Sequence, residues 1–103
     1  MPKRAPPVFP GTQRQLEALG ERLKAARLRR RMTQATLAAR ADVSVPTVRK
    51  LEKGDATTSL ATLARALKVL GLHGDLDLLA AHDELGRKLQ DIHQVGPPRG
   101  RGS

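Results

Sequence analysis

The chain of 103 residues contains no cysteine, tryptophan or tyrosine, and its single aromatic side chain is Phe9. Without cysteine it can form neither a disulfide framework nor a thiolate metal site. With one aromatic ring it lacks the stacking platform by which many proteins bind single-stranded nucleic acid. The core must therefore be built from Leu, Val and Ala, which suits a small domain of closely packed helices.

Long apolar runs and recognisable catalytic patterns are missing as well. No run approaches the ~20 apolar residues that cross a bilayer, and no grouping suited to nucleophilic or acid–base catalysis stands out. His73, His82 and His93 are separated by 9 and 11 residues, which fits no compact metal-ligand spacing. We therefore expect no membrane contact, no metal, no cofactor and no enzyme activity, with the histidines facing solvent.

Positive charge is abundant, and all of its excess over negative charge lies in one half of the chain. Residues 1–53 contain 13 Lys or Arg and 4 Asp or Glu, whereas residues 54–103 contain 6 of each kind. A single charged run is usually a solvated face, but polarisation this complete predicts a polyanionic partner. Nucleic acid is the simplest such partner.

Proline, glycine and apolar periodicity divide the chain into four parts. Residues 1–11 contain four prolines and one glycine and are predicted to be a disordered arm. Residues 12–72 form the predicted helical domain, residues 73–95 a helical extension of one or two helices, and residues 96–103 a disordered tail. The predicted fold class is all-α.

Helix boundaries follow from capping residues. Thr12 and Gln15 have the spacing of a capping box and predict a first helix that runs to about residue 31. Ser59 predicts the start of a later helix that Gly71 ends, and Asp83 is a cap candidate in the extension. The apolar positions assigned to these later helices are Leu60, Leu63, Ala64, Leu67 and Leu70, followed by Leu76, Leu79, Leu85, Leu89 and Ile92.

The most informative stretch is residues 33–54, TQATLAARADVSVPTVRKLEKG. Thr33 and Ser44 are N-cap candidates for two short helices, Pro46 suits the first turn of the second, and Gly54 suits the position after its end. The positions expected on the exposed face of the second helix are Val45, Pro46, Thr47, Arg49, Lys50 and Lys53. Two such helices joined by a tight turn can place the second in the major groove of DNA.

This stretch resembles the helix-turn-helix of the Cro/C1 repressor family, also called XRE-type regulators. The matching residues are Thr33-Gln34-x-x-Leu37-Ala38, then Val43-Ser44, then Thr47-Val48-x-x-Leu51-Glu52-x-Gly54. The resemblance extends over roughly residues 13–72 and implies a lambda-repressor-like five-helix DNA-binding domain. Asp42 stands where the family usually has glycine at the turn. Because Asp tolerates positive φ better than most residues, we expect the turn to form.

The resemblance also implies roles for individual side chains. It assigns base reading to Val45, Pro46, Arg49 and Lys50, backbone phosphate contacts to Gln34, Ser44, Thr47 and Lys53, and a structural salt bridge to Arg27 and Glu52. Arg49 can donate a pair of hydrogen bonds to guanine. Thr47 suits either a phosphate or the first turn of its own helix, and the alternative for Arg49 and Lys50 is a solvated surface charge.

These observations lead to the hypothesis of a homodimeric repressor that reads a palindromic operator in double-stranded DNA. Such a protein is expected in the bacterial cytoplasm, associated with the nucleoid. Two half-sites one helical turn apart require a two-fold protein, and the apolar positions of residues 76–92 are the candidate dimer surface. The extension, above all residues 83–89, is similar to the end of HipB-type antitoxins, which bind a HipA-type kinase toxin and repress their shared operon.

Three alternatives remain open at this stage. The chain could be a stand-alone or prophage XRE-type repressor, or an adaptor that neutralises a protein partner and binds DNA incidentally. It could also bind nucleic acid through charge alone, in which case affinity would fall steeply with salt and show no sequence preference.

Overall fold

The computed structural model describes residues 7–93, and within them five α-helices and one 3₁₀ helix follow one another without any strand. The elements are α1 (Pro10–Arg29), α2 (Gln34–Ala41), α3 (Val45–Glu52), α4 (Leu60–Val69), a 3₁₀ helix (His73–Leu78) and α5 (Glu84–His93). The predicted all-α class is confirmed. The predicted tail, residues 96–103, and the first six residues of the predicted arm lie outside the described part of the chain.

Hydroxyl side chains cap three consecutive helices. The oxygens of Thr33, Ser44 and Ser59 accept hydrogen bonds from the backbone N–H three residues later, at the starts of α2, α3 and α4. Each cap satisfies a donor that has no intrahelical partner and stabilises the helix by about 1 kcal/mol. These three predicted helix starts are confirmed.

The start of α1 differs from the sequence prediction. The helix begins at Pro10, with Phe9 as an N-cap that makes no side-chain hydrogen bond. Pro10 suits the first helical position because its φ is fixed near the helical value and its missing N–H would have no partner there. The predicted capping box of Thr12 and Gln15 is therefore wrong, because Thr12 already lies inside the first turn.

The turn between α2 and α3 forms with aspartate in the position of the usual glycine. Asp42 has φ 58° and ψ 48°, in the left-handed region. The N–H of Val43 donates to the carbonyl of Ala38 at 3.0 Å, which closes the end of α2. A second left-handed residue, Arg31 at φ 56°, follows α1. The left-handed conformation of Arg31 could not be predicted from residue preferences, because arginine is not enriched in it.

The hydrophobic core lies where α1 to α4 meet. Its buried members are Leu23, Ala26, Leu37, Ala38, Val48, Leu51, Ala66, Leu67 and Leu70. Leu60, predicted as the first core position of α4, is instead 80% exposed. It occupies the first residue of the helix, one turn before the stretch that packs against α2 and α3.

The C-terminal extension contains two elements that differ in how they pack. The 3₁₀ helix packs against α4, and Leu76 contacts the core. Asp83 caps α5 by accepting a 2.8 Å hydrogen bond from the N–H of Gly86, so this predicted cap is confirmed. No residue of α5 is buried, and Leu85, Leu89 and Ile92 are exposed. These positions are therefore not core of the described chain, and neither is the exposed Leu79.

Candidate nucleic-acid interface

Helices α2 and α3 form a helix-turn-helix in which α3 presents one face to solvent. Val48 and Leu51 bury that helix's inner side, while Pro46, Arg49 and Lys50 are exposed. Two side chains depart from the predicted exposed face: Val45 and Thr47 are half-buried, and Val45 packs against the core. Only part of the Val45 side chain is thus available to a base.

The cations of α3 differ in their surroundings. Arg49 and Lys50 are exposed, and within residues 7–93 neither forms a salt bridge. Hydrogen bonds from the hydroxyl and the backbone N–H of Thr57 hold the pKa of the Asp55 carboxyl below its usual value, and the charge of Lys50 acts in the same direction. Lys50 therefore has a carboxylate in its surroundings, that of Asp55.

The N-termini of α2 and α3 are suited to binding phosphate. Neither helix has an acidic residue in its own first turn, which favours an anion at the positive end of each helix dipole. The carboxylate of Glu52 lies beside the start of α2, but it is paired with Arg27. Ser44 and Thr47 lie at the start of α3 with their hydroxyl oxygens 2.8 Å apart. The hydroxyl of Thr47 thus contacts the capping residue of its own helix, which is one of the two roles predicted for it. Lys53 is exposed at the opposite end of α3.

A buried ion pair ties the end of α3 to α1. The Nε of Arg27 donates to Oε2 of Glu52 at 2.6 Å, and its Nη2 donates to Oε1 at 3.0 Å. Arg27 is 5% exposed and Glu52 is 7% exposed, so both charges are buried. The same guanidinium donates through Nη1 to the carbonyl of Met32 at 2.8 Å, and the amide of Gln34 donates to Oε1 of Glu52 at 3.0 Å. The sequence contained no signal for this contact of Gln34, because it joins two residues that are 18 positions apart.

Two glycines allow the backbones of α1 and α3 to touch. A Cβ atom on Gly20 would collide with the carbonyl oxygen of Glu52 and lie 2.9 Å from the backbone nitrogen of Gly54. Gly54 has φ 74°, and its carbonyl accepts a 3.0 Å hydrogen bond from the amide of Gln13. Gly20 and Gln13 were not predicted to matter. The position of Gly20 inside a predicted helix could have indicated a packing role. Glycine there destabilises a helix by roughly 1 kcal/mol relative to alanine, so its presence indicates that close packing requires it.

Residues 23–76, more than half of the chain, match the family model described as helix-turn-helix. The chain belongs to this XRE-type helix-turn-helix family. No curated protein matches the sequence of this regulator. Membership establishes a DNA-binding regulator.

Membrane-spanning helices and metal sites are both absent from the described residues of the XRE-type regulator. None of the helices in residues 7–93 is long and apolar enough to cross a membrane. In the same part of the chain no group of His, Cys, Asp or Glu is arranged to hold a metal ion. All three histidines are exposed, as predicted.

Proposed function

We propose that this regulator is a sequence-specific repressor that binds a palindromic operator as a homodimer. The observation that carries the proposal is the pair of exposed cations, Arg49 and Lys50, on a helix whose inner side and C-terminal end are fixed to the domain. Rigid support matters because base reading requires hydrogen-bond geometry that a loosely held helix cannot maintain. A protein that occupies DNA overlapping a promoter in this way would exclude RNA polymerase and so repress transcription.

Helix α5 supports the dimeric part of the proposal. Leu85, Leu89 and Ile92 follow one another at spacings of four and three residues and therefore share one face. Their exposures are 67%, 46% and 72%. A second copy of the chain is the proposed occupant of this face, because a two-fold operator requires two recognition helices related by a two-fold axis.

The proposed cellular context is a toxin–antitoxin operon with a HipA-type kinase as the partner. It is supported by the similarity of residues 83–89 to HipB-type antitoxins, a segment that includes the start of α5. A HipA-type kinase from the same genome should elute together with the full-length regulator in size-exclusion chromatography. Separate elution, with operator binding intact, would favour a stand-alone or prophage repressor instead.

Operator preference tests the proposal directly. Fluorescence anisotropy at ~150 mM salt should show that the DNA upstream of the regulator's own gene binds at least ~10³-fold more tightly than a shuffled duplex. Equal, salt-sensitive binding to both duplexes would contradict specific repression and favour backbone contacts alone.

Arg49→Ala should weaken binding to the cognate operator by roughly 5- to 150-fold, the range for loss of a bidentate contact to guanine. Binding to shuffled DNA should change much less, and the preference at one base pair should relax. Lys53→Ala is the control, since removal of a phosphate contact should weaken binding to both duplexes about equally. Equal losses on both duplexes for Arg49→Ala would show that it does not read a base.

Leu89→Glu should convert the dimer into a monomer, because it places a charge at the centre of the apolar face of α5. Sedimentation velocity over a range of protein concentrations measures the change. Arg87→Glu alters charge on another face of the same helix and should leave the dimer intact. A Leu89→Glu protein that still dimerises would locate the interface elsewhere.

A further inference from the structure

The start of α2 and the end of α3 are joined by one side-chain contact. The amide nitrogen of Gln34, the first residue of α2, lies 3.0 Å from Oε1 of Glu52, the last residue of α3. Gln34 is half-buried and Glu52 is buried. The contact therefore connects the proposed phosphate-binding end of one helix to the helix that reads bases.

Glu52 cannot move away from this contact, because its carboxylate is held from the other side. Both of its oxygens accept hydrogen bonds from Arg27, at 2.6 and 3.0 Å. Arg27 in turn donates to the carbonyl of Met32, in the loop that leads into α2. One guanidinium thus fixes both the carboxylate and the entry to α2, and the carboxylate is a stationary acceptor for the amide of Gln34.

The first turn of α2 offers several donors to an anion. The backbone N–H groups of Gln34 and Ala35 precede the first intrahelical hydrogen bond, and the hydroxyl of Thr33 already accepts from Thr36. The side-chain amide of Gln34 has a second N–H besides the one that Glu52 accepts. A phosphate at this helix end would meet backbone and side-chain donors together.

We propose that Glu52 is a positioning residue for DNA binding, in addition to stabilising the fold. It holds the amide of Gln34 in one orientation, so that the phosphate bound at the start of α2 fixes the register of α3 in the groove. A free glutamine side chain would lose conformational entropy when it binds DNA. In this protein the side chain of Gln34 is already fixed in the folded state, so DNA binding does not incur that cost. The inference rests on the operator binding proposed above.

A double-mutant cycle on operator affinity tests the coupling. Gln34→Ala should weaken operator binding by roughly tenfold in the wild-type background, the effect of one hydrogen bond to a charged group. The second background is Arg27→Met/Glu52→Leu, because replacing a buried ion pair by apolar residues often preserves stability. In that background the amide has lost its anchor, and Gln34→Ala should weaken binding by less than about threefold.

The outcomes separate this inference from the proposed function. Equal effects of Gln34→Ala in the two backgrounds would overturn the positioning role while leaving operator binding in place. If Gln34→Ala has no effect in either background, Gln34 makes no phosphate contact that Glu52 could position. That result would also overturn the positioning role. Failure of the proposed function would show itself differently, as equal affinity of the unmodified protein for operator and shuffled DNA.

A measurement on the unmodified protein applies even where the double variant does not fold. The side-chain amide of Gln34 should have a rigid ¹⁵N–¹H heteronuclear NOE in the absence of DNA. Gln15, exposed on α1, is the internal reference for a mobile amide. Equal mobility of the two amides would overturn the positioning role.

Discussion

Glu52→Ala should lower the free energy of unfolding by about 3–5 kcal/mol, a large part of the total for a domain of this size. The substitution leaves the guanidinium of Arg27, 5% exposed, without its carboxylate. The amide of Gln34 loses its acceptor in the same step. Urea unfolding followed by circular dichroism at 222 nm measures the effect. Operator binding in this variant should fall for two reasons, because part of the protein unfolds and because the amide of Gln34 is released.

The control is the variant Arg27→Met/Glu52→Leu, which removes both charges together. It should stay within about 2 kcal/mol of the wild-type stability, because the cost of the single variant lies in the unpaired buried charge. Similar losses in the single and double variants would instead assign the cost to lost packing at the contact between α1 and α3.

Gly54→Ala should lower the free energy of unfolding by about 2–5 kcal/mol through two additive effects. A non-glycine residue at φ 74° costs about 1–2 kcal/mol. A Cβ there would also lie 2.5 Å from the backbone nitrogen of Glu17, and such overpacking typically costs a further 1–3 kcal/mol, roughly. The readout is again the midpoint of urea unfolding.

Gly71→Ala isolates the first of these effects. Gly71 has almost the same φ, 75°, but a Cβ at this position would meet no heavy atom within 4 Å. Its substitution should therefore cost only the conformational part, about 1–2 kcal/mol. If the two alanine variants lose equal stability, the close approach of α1 to the end of α3 contributes nothing measurable.

The helix-turn-helix was predictable because its determinants are local. Thr33 and Ser44 satisfy backbone donors within three residues of themselves, so their roles follow from neighbouring sequence. Asp42 adopts the left-handed conformation that its short polar side chain tolerates. The salt bridge between Arg27 and Glu52 was predicted from the family resemblance. Local sequence patterns alone would not have indicated it, because the two residues are far apart in the chain.

What sequence reasoning missed depends on how helices cross. Gln34 meets Glu52 only because of the angle between α2 and α3, which no local pattern specifies. Leu60 continues the periodicity of α4, but periodicity does not indicate where the neighbouring helices stop. At the start of α1 two signals competed, and the proline at position 10 prevailed over the threonine at position 12.

The contacts that support α3 and the side chains proposed to read bases are largely separate sets, and Val45 is the residue that belongs to both. Support comes from Val48, Leu51, Glu52 and Gly54, whereas Arg49 and Lys50 are exposed. On the proposed function, substitutions at positions 49 and 50 should change which sequence is read without weakening the scaffold. Under that proposal, duplicated genes with this architecture would be able to diverge in operator choice while their products remain folded.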